Sequence, residues 1–240
     1  ATFTNTSGSN DAITLDDASN AFAGTVTFAT DSGSAVTIVD TTALDLKALS
    51  AASLSVTAGG AVTDSGTLAI TGATTLNSGS ADLTLDQSAS TFGTLAITGA
   101  NVAVTENAAT DLGSSTVSGT FGITSGGAIT DSGTLAITGD ATFTNTSGSN
   151  DAITLDDASN AFAGTVTFAT DSGSAVTIVD TTALDLKALS AASLSVTAGG
   201  AVTDSGTLAI SGATTLNSGS ADITLDQSGS TFGTLAITGA

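Results

Sequence analysis

Paired carboxylates are the residues of this sequence best suited to catalysis. Asp16 and Asp17 are adjacent, and the same pair recurs as Asp156 and Asp157. Two carboxyl groups on either side of a glycosidic bond can act together in sugar hydrolysis. However, adjacent side chains of a strand point to opposite faces, and the first pair directly follows the alternating segment 13–15. We therefore predict an Asx turn at a corner rather than a catalytic pair, and we predict no enzymatic activity.

Serine nucleophiles and metal ligands have even less support. Histidine and cysteine are absent, so no imidazole can serve as base for a serine, and no thiolate or imidazole metal site can form. The calcium-binding pattern Gly-Gly-x-Gly-x-Asp does not occur, and the nearest phrase, residues 59–64, has the wrong spacing. We expect at most diffuse binding of calcium by turn aspartates. We assign no catalytic, cofactor-binding or metal-binding residue.

Hydroxyl and amide side chains raise two further ideas. Thr2-x-Thr4-x-Thr6 and Thr25-x-Thr27 could present hydroxyl arrays like those of ice-binding solenoids. Their spacing in the sequence is irregular, which favours ordinary solvent-facing strand threonine. Asn5-Thr-Ser7 and Asn145-Thr-Ser147 match the glycan acceptor pattern, which is incidental in a bacterial protein.

The charge balance excludes two classes of partner. The chain has 22 acids against two lysines, and its net charge is −20. Nucleic acids and anionic membrane surfaces need clustered cations, so neither is expected as a partner. Apolar residues still make up 40% of the chain and alternate regularly, which predicts an ordered protein. No apolar run approaches the roughly 18 residues of a membrane helix, and we expect any export signal to lie outside this sequence.

Internal repetition dominates the sequence. Residues 1–70 recur unchanged at 141–210, and the offset between these two copies defines the long period of the chain. A weaker duplication within it gives sub-repeats 1–72, 73–140, 141–212 and a partial 213–240 in one continuous array. Nearly every feature therefore occurs twice, which favours structural over catalytic roles. The array stops within a unit, and we expect this to be a window onto a longer one.

Alternation with a period of two predicts short strands with one buried side. Turn clusters at 7–11, 31–34, 58–60 and 64–66 separate them. Helix formers in 43–52 leave a short helix open there, although the leucines also fit a strand and a corner. The predicted strands contain Phe3, Ile13/Leu15, Val26/Phe28, Val36/Ile38, Leu54/Val56, Leu68/Ile70, Leu83/Leu85, Leu95/Ile97, Val102/Val104 and Phe121/Ile123, and all nine phenylalanines fit inward positions.

Many short strands at even spacing allow a string of β-sandwiches or a solenoid. Tryptophan and tyrosine, which are common in sandwich cores, are absent, and the sub-repeats are short for such domains. Proline is absent too, as expected where interior strands use every N–H. We therefore predict an all-β fold, a parallel β-helix (β-solenoid). Coils of about 20–25 residues would give about ten to twelve coils and a length on the order of 50 Å.

The recurring phrases carry a family resemblance. They are the segments 20–27, 36–44, 54–66 and 67–72, the last two reading LSVTAGGAVTDSG and TLAITG. In this wording the chain resembles the filamentous-haemagglutinin-like exoproteins, large two-partner-secreted adhesins of Gram-negative bacteria. The resemblance implies a right-handed parallel β-helix that is exported unfolded and projects from the outer membrane. It carries over no functional residue.

These observations predict a non-catalytic structural shaft of a secreted bacterial cell-surface fibre or giant adhesin. The shaft would hold an adhesive tip away from the outer membrane or form an extracellular filament. Its expected partners are neighbouring copies of the same repeat along the fibre and polysaccharides of a host, surface or matrix. Two alternatives stay open: a solenoid whose side surface directly binds ice or polysaccharide, and a filament subunit that stacks end to end.

Overall fold

Alternating apolar and polar residues fold into short strands that pair in parallel, one turn above the next. The computed structural model describes residues 1–5, 8 and 10–240. Within these residues there are thirty strands and no helix, and the strands wind into a parallel β-solenoid of about eleven turns. The predicted fold class and number of coils are thus confirmed, while the handedness stays a prediction. The described residues contain no helix that is long and apolar enough to cross a membrane.

The strands in chain order are β1 (Thr2–Thr4), β2 (Ile13–Leu15), β3 (Thr25–Ala29), β4 (Ala35–Asp40), β5 (Leu44–Leu46), β6 (Leu49–Ala51), β7 (Ser53–Ala58), β8 (Val62–Asp64), β9 (Leu68–Ile70), β10 (Ala73–Asn77), β11 (Leu83–Leu85), β12 (Thr94–Gly99), β13 (Val102–Glu106), β14 (Thr110–Leu112), β15 (Ser115–Val117), β16 (Phe121–Ser125), β17 (Ile129–Asp131), β18 (Leu135–Ile137), β19 (Ala141–Asn145), β20 (Ile153–Leu155), β21 (Ala161–Phe162), β22 (Thr165–Ala169), β23 (Ala175–Asp180), β24 (Leu184–Leu186), β25 (Leu189–Ala191), β26 (Ser193–Ala198), β27 (Val202–Asp204), β28 (Leu208–Asn217), β29 (Ile223–Thr224) and β30 (Thr231–Thr238).

Two long sheets run along the solenoid. The first sheet has twelve strands in the order β1-β3-β5-β8-β11-β13-β16-β19-β22-β24-β27-β29, one from each pass of the chain. The second sheet has sixteen, following β2-β4-β7-β10-β12-β14-β17-β20-β23-β26-β28-β25 with β15, β18, β21 and β30 alongside, and β6 and β9 form a small sheet of their own. The strand register shows that the turns differ in length, because Leu95 pairs with Leu112 whereas Phe3 pairs with the more distant Phe28.

The core consists of inward side chains stacked in ladders. One ladder runs through Ile38, Val56, Leu76 and Ile97, which pair in register from turn to turn. Each of these side chains is at most 1% exposed. Because the next turn covers the same position, small aliphatic side chains suffice to exclude water, and burying each one stabilises the fold by about 1.5–3 kcal/mol.

Phenylalanines contribute the largest side chains of this core. Phe143 stacks on Phe168 at a centroid distance of 5.8 Å and meets Phe162 edge-on at 6.1 Å. The prediction that all nine point inward is confirmed: Phe28, Phe92, Phe121, Phe143, Phe162 and Phe168 are buried, and Phe3, Phe22 and Phe232 are partly buried against the core.

The segment 43–52 forms two strands and a corner, not a helix. β5 pairs with β8 and β6 pairs with β9, so Leu44 lies against Val62 and Leu49 against Leu68. A helix would leave the edges of both neighbouring turns unpaired, and the ladder therefore overrides the helix propensity of this segment. The predicted turn at 31–34 lies between β3 and β4, and the predicted turns at 58–60 and 64–66 begin with the last residues of β7 and β8. The turn at 7–11 includes Ser7 and Ser9, which lie outside the described residues.

Glycines at the corners allow the turns to approach closely. A Cβ atom on Gly164 would overlap the carbonyl group of Gly139 in the neighbouring turn. Gly24 occupies the same place one long period earlier, and no atom of the described residues lies within 4 Å of its hypothetical Cβ. Neither glycine has a positive φ. The two positions therefore differ in stacking and not in local sequence.

We predict that Gly164→Ala lowers the free energy of unfolding by about 1–3 kcal/mol, because the new methyl group must displace backbone. Gly24→Ala should leave it unchanged or raise it by up to about 1 kcal/mol, through reduced freedom of the unfolded chain. Urea unfolding followed by circular dichroism measures both. Equal losses in the two variants would contradict a role for close stacking at this corner.

Candidate functional site

The predicted acid pair closes a turn. The Oδ1 atom of Asp17 accepts hydrogen bonds from the hydroxyl and the backbone N–H of Ser19. These two bonds, the hydroxyl one first, lower the pKa of the Asp17 carboxyl. The Asp17 carbonyl accepts the N–H of Asn20 at 3.1 Å. The predicted Asx turn is therefore confirmed, and both Asp16 and Asp17 are exposed at the corner.

The other predicted positions serve their own turns. Asn145 is 7% exposed, its Nδ2 atom donates to the carbonyl of Asp151 at 3.1 Å, and its Oδ1 atom accepts the N–H of Ser147 at 2.9 Å. A buried amide that is used in this way is a poor glycan acceptor. Asn5-Thr-Ser7 extends to residues that the structure does not describe. Among the described residues, no three histidine, cysteine or acidic side chains lie close enough to hold a metal ion.

Outward threonines stack in regular columns. Thr14, Thr37, Ser55 and Thr75 follow one another in register on the second sheet, although their residue numbers rise in unequal steps. The irregular spacing of the sequence does not carry over into the structure, because the corners absorb the differences in turn length. This column contains Ser55 and is followed by Ala96, and Thr25 of the predicted array pairs with Asp45 in the next turn, so the interpretation of those threonines as ordinary strand residues stays a prediction. The array Thr2-x-Thr4-x-Thr6 ends outside the described residues.

Strand-end carboxylates, three on each of the two long sheets, are the most distinctive chemical feature of the fold. Six acids each form the last residue of a strand, where the chain enters a corner. Five of them are at most 6% exposed, and the sixth is partly exposed. A buried charge is costly unless hydrogen bonds satisfy it. The six are Asp40, Asp64, Glu106, Asp131, Asp180 and Asp204.

Glu106 reaches back to the preceding turn. Its Oε1 atom accepts the backbone N–H of Phe92 at 2.7 Å, and its Oε2 atom accepts the hydroxyl of Thr110 at 2.9 Å. The side chain is 2% exposed. Burial raises the pKa of the Glu106 carboxyl, and the two hydrogen bonds oppose this rise. The carboxyl group thus joins two turns, and its burial makes ionisation less favourable than it would be in water.

Asp40 and Asp180 make the same connection one long period apart. Their Oδ1 atoms accept the N–H of Phe22 and Phe162, each at 3.2 Å. The Oδ2 atoms are buried without a hydrogen-bond partner. Burial raises the pKa of Asp180. The phenylalanine and the acid of the next turn therefore form a repeated unit of this corner.

Asp64 and Asp131 reach forward to the following turn. The Oδ1 atom of Asp64 accepts the N–H of Asp86 at 2.9 Å, but its Oδ2 atom is buried without a partner. Burial raises the pKa of Asp64. Asp131 occupies the corresponding place in the phrase TDSGTLAI and accepts the N–H of Asp156 at 2.8 Å. Its Oδ2 atom also accepts the Nδ2 group of Asn160 at 2.6 Å.

Asn160 explains why the second carboxylate oxygen of Asp131 has a hydrogen-bond partner and that of Asp64 does not. Asn160 donates to Asp131 and at the same time accepts the N–H of Leu135 at 2.8 Å. The equivalent residue of the other corner, Ser90, accepts the N–H of Leu68 at 3.0 Å, but its hydroxyl leaves the Oδ2 atom of Asp64 without a partner. The alternation pattern could have revealed these acids, because they follow inward residues at even spacing.

Most of the acidic residues lie in the corners or at strand ends that lead into them. Of the 22, thirteen lie in turns, six end a strand and three, Asp45, Asp111 and Asp185, lie within a strand. The broad faces of the two sheets are therefore nearly uncharged, whereas the corners carry a dense negative charge.

Parallel ladders through every turn and corners joined by buried carboxylates define a tandem-repeat β-solenoid. The chain belongs to the family of repeats of unknown function (DUF5649), which it matches over residues 33–98, 99–169 and 173–239. These units are close in length to the predicted sub-repeats but begin at other residues. No curated protein and no solved structure matches the chain. The resemblance to the filamentous-haemagglutinin-like exoproteins stays a prediction.

We predict that Glu106→Gln stabilises the protein at neutral pH by on the order of 1 kcal/mol. Glutamine can accept the Phe92 N–H and donate to the Thr110 hydroxyl without a buried charge. Because the folded pKa of Glu106 is raised, its stabilising contribution is complete below the unfolded pKa and is lost as pH rises through the folded pKa. The advantage of the variant should therefore shrink as pH falls towards about 4, near the pKa of an unperturbed glutamate.

Urea unfolding of wild type and variant at a series of pH values measures this difference. Asp16→Asn removes the same charge from an exposed corner and controls for relief of the net charge. A constant difference between Glu106→Gln and wild type at all pH values would show that Glu106 titrates alike in the folded and unfolded states.

We also predict that Ser90→Asn raises the free energy of unfolding by about 1 kcal/mol at neutral pH. The new amide should copy Asn160, accepting the Leu68 N–H and donating to the unpartnered Oδ2 atom of Asp64. The pKa of Asp64 should fall because the new donor stabilises the ionised carboxylate. The reverse change, Asn160→Ser, should destabilise the other corner. Thermal and urea unfolding test both, and a loss of stability in Ser90→Asn would refute the equivalence of the corners.

Proposed function

We propose that this chain is a section of a stiff, non-catalytic shaft. The observation that supports this best is the continuous ladder: about eleven turns share one core, and the first long period runs into the second without a break in pairing. Each interior turn is bonded to the turns on both sides, so bending the rod requires many bonds and contacts to change together. A function that depends on length and stiffness needs no pocket.

The corners support the same proposal. Buried acids such as Glu106 and Asp180 connect neighbouring turns through backbone N–H groups. The exposed acids around them keep like molecules apart and soluble. This division puts rigid connections inside each corner and repulsive charge outside it. Both properties suit a long projecting fibre.

In its finer form, the proposal places this shaft in a secreted bacterial surface fibre or giant adhesin, outside the cell. There it would hold an adhesive tip away from the outer membrane or form an extracellular filament. This part of the proposal rests on the recurring sequence segments and on their resemblance to the filamentous-haemagglutinin-like exoproteins. Direct binding of ice or polysaccharide by the side of the solenoid and end-to-end stacking of separate subunits stand as the alternatives.

The proposal predicts a rod whose length is set by the number of long periods. Seven turns rising about 4.8 Å each make a period about 34 Å long, and the present chain about 50 Å long. Small-angle scattering from chains of one, two and three periods should show length growing in these steps at constant cross-section. A tandem with a flexible Gly-Ser linker between two periods provides the reference for beads on a string. If the uninterrupted chains scatter like this reference, the shaft proposal fails.

A further inference from the structure

One corner of the solenoid combines a buried carboxylate oxygen that has no hydrogen-bond partner with a buried serine. Asp64 is 6% exposed; its Oδ1 atom accepts the N–H of Asp86 at 2.9 Å, whereas its Oδ2 atom is buried without a partner. Ser90 is fully buried, and its hydroxyl oxygen accepts the N–H of Leu68 at 3.0 Å. We call the group of Asp64, Asp86 and Ser90 a serine corner.

A second serine corner lies one long period further along the chain. Asp204 is also 6% exposed, its Oδ1 atom accepts the N–H of Asp226 at 2.9 Å, and its Oδ2 atom is again buried without a partner. Ser230 accepts the N–H of Leu208 at 3.1 Å, as Ser90 does for Leu68. The unpartnered oxygen therefore belongs to the repeat and is not an accident of one turn.

The corner built on Asp131 shows which position a small group would take beside such an oxygen. Asn160 occupies the place of Ser90, and its Oδ1 atom accepts the N–H of Leu135 at 2.8 Å. Its Nδ2 atom lies 2.6 Å from the Oδ2 atom of Asp131. The nitrogen and oxygen of one amide group are only about 2.2 Å apart. In a serine corner the same position therefore lies beside both the Ser90 hydroxyl and the second carboxylate oxygen of Asp64.

The charges around this position favour a cation. Burial raises the pKa of the Asp64 carboxyl; the backbone N–H of Asp86 opposes this rise, and the charge of the Asp86 carboxylate adds to it. A buried carboxylate is costly unless it is paired, and a cation beside the Oδ2 atom offsets both the burial and the neighbouring charge. The Ser90 hydroxyl oxygen has two lone pairs, so it can bind a cation while it accepts the N–H of Leu68.

We propose that each serine corner binds one small monovalent cation, such as sodium, between the second oxygen of the buried aspartate and the serine hydroxyl. Calcium fits less well, because it takes six to eight oxygen ligands and no three acids of the described residues lie close enough to hold a metal ion. The bound ion joins neighbouring turns, so the stability of the solenoid depends on the cation present. The inference does not depend on the proposed shaft, since both corners belong to the present chain.

Thermal unfolding at neutral pH in two salts tests the site. Sodium chloride and tetramethylammonium chloride, each at about 0.5 M, screen surface charge alike, but tetramethylammonium is too large for the corner. The filled variant, Ser90→Asn with Ser230→Asn, places an amide at both positions. Asn160→Ser is the matched control, because it converts the third corner into a serine corner. Asp64→Asn with Asp204→Asn removes both carboxylates and replaces the filled variant if that one fails to fold by circular dichroism.

We expect wild type to unfold at least about 3 °C higher in sodium chloride than in tetramethylammonium chloride, because an ion that binds only the folded state stabilises it. The filled variant should lose this difference, and Asn160→Ser should enlarge it by about half, since it adds a third site to two. Equal unfolding temperatures of wild type in the two salts overturn the cation site. So does a filled variant that keeps the wild-type difference, because sodium then acts only through the diffuse ion atmosphere.

Discussion

Parallel backbone hydrogen bonds join each turn of the solenoid to the next, and they fix what every turn must place at each point of its circumference. Ile38, Val56, Leu76 and Ile97 can form one ladder only because each turn returns an apolar residue to the same point. The turns contain unequal numbers of residues, so the difference must be absorbed at the corners. Straight sheets with variable corners follow from this constraint.

The corners are therefore where polar chemistry is concentrated. A chain that leaves a ladder must satisfy its backbone groups in another way, and buried carboxylates at strand ends do so by accepting N–H groups of adjacent turns. Glu106 bonds to Phe92 in the turn before it, whereas Asp64 bonds to Asp86 in the turn after it. The raised pKa values of these acids show that burial opposes their ionisation. Their value lies in fixing the position of one turn on another.

Period-two alternation was enough to predict the strands at Val36/Ile38 and Leu54/Val56 and the inward phenylalanines. The choice of a solenoid also needed the short sub-repeats and the absence of tryptophan, tyrosine and proline. Alternation was insufficient at 43–52, where helix propensity and strand pattern compete locally and the ladder decides. The strand-end acids continue the inward alternation, as Asp40 does after Val36 and Ile38, but they were not identified, because an aspartate beside a glycine-rich turn is ordinarily interpreted as a solvent-exposed turn residue. The Asx turn at Asp17 was predictable because both of its partners lie close by in the sequence.

The sequence by itself determined the period, the class of fold, the net charge and the inward or outward direction of most strand residues, because these follow from composition and from the spacing of neighbours along the chain. Only the tertiary structure decided which turns meet. It therefore decided that Thr37, Ser55 and Thr75 form a column, and that Gly164 lies against the backbone of Gly139. It also decided that Asn160 completes a corner that Ser90 leaves incomplete. Such relations join residues about one turn apart, and variable corner lengths hide them from any pattern of fixed spacing.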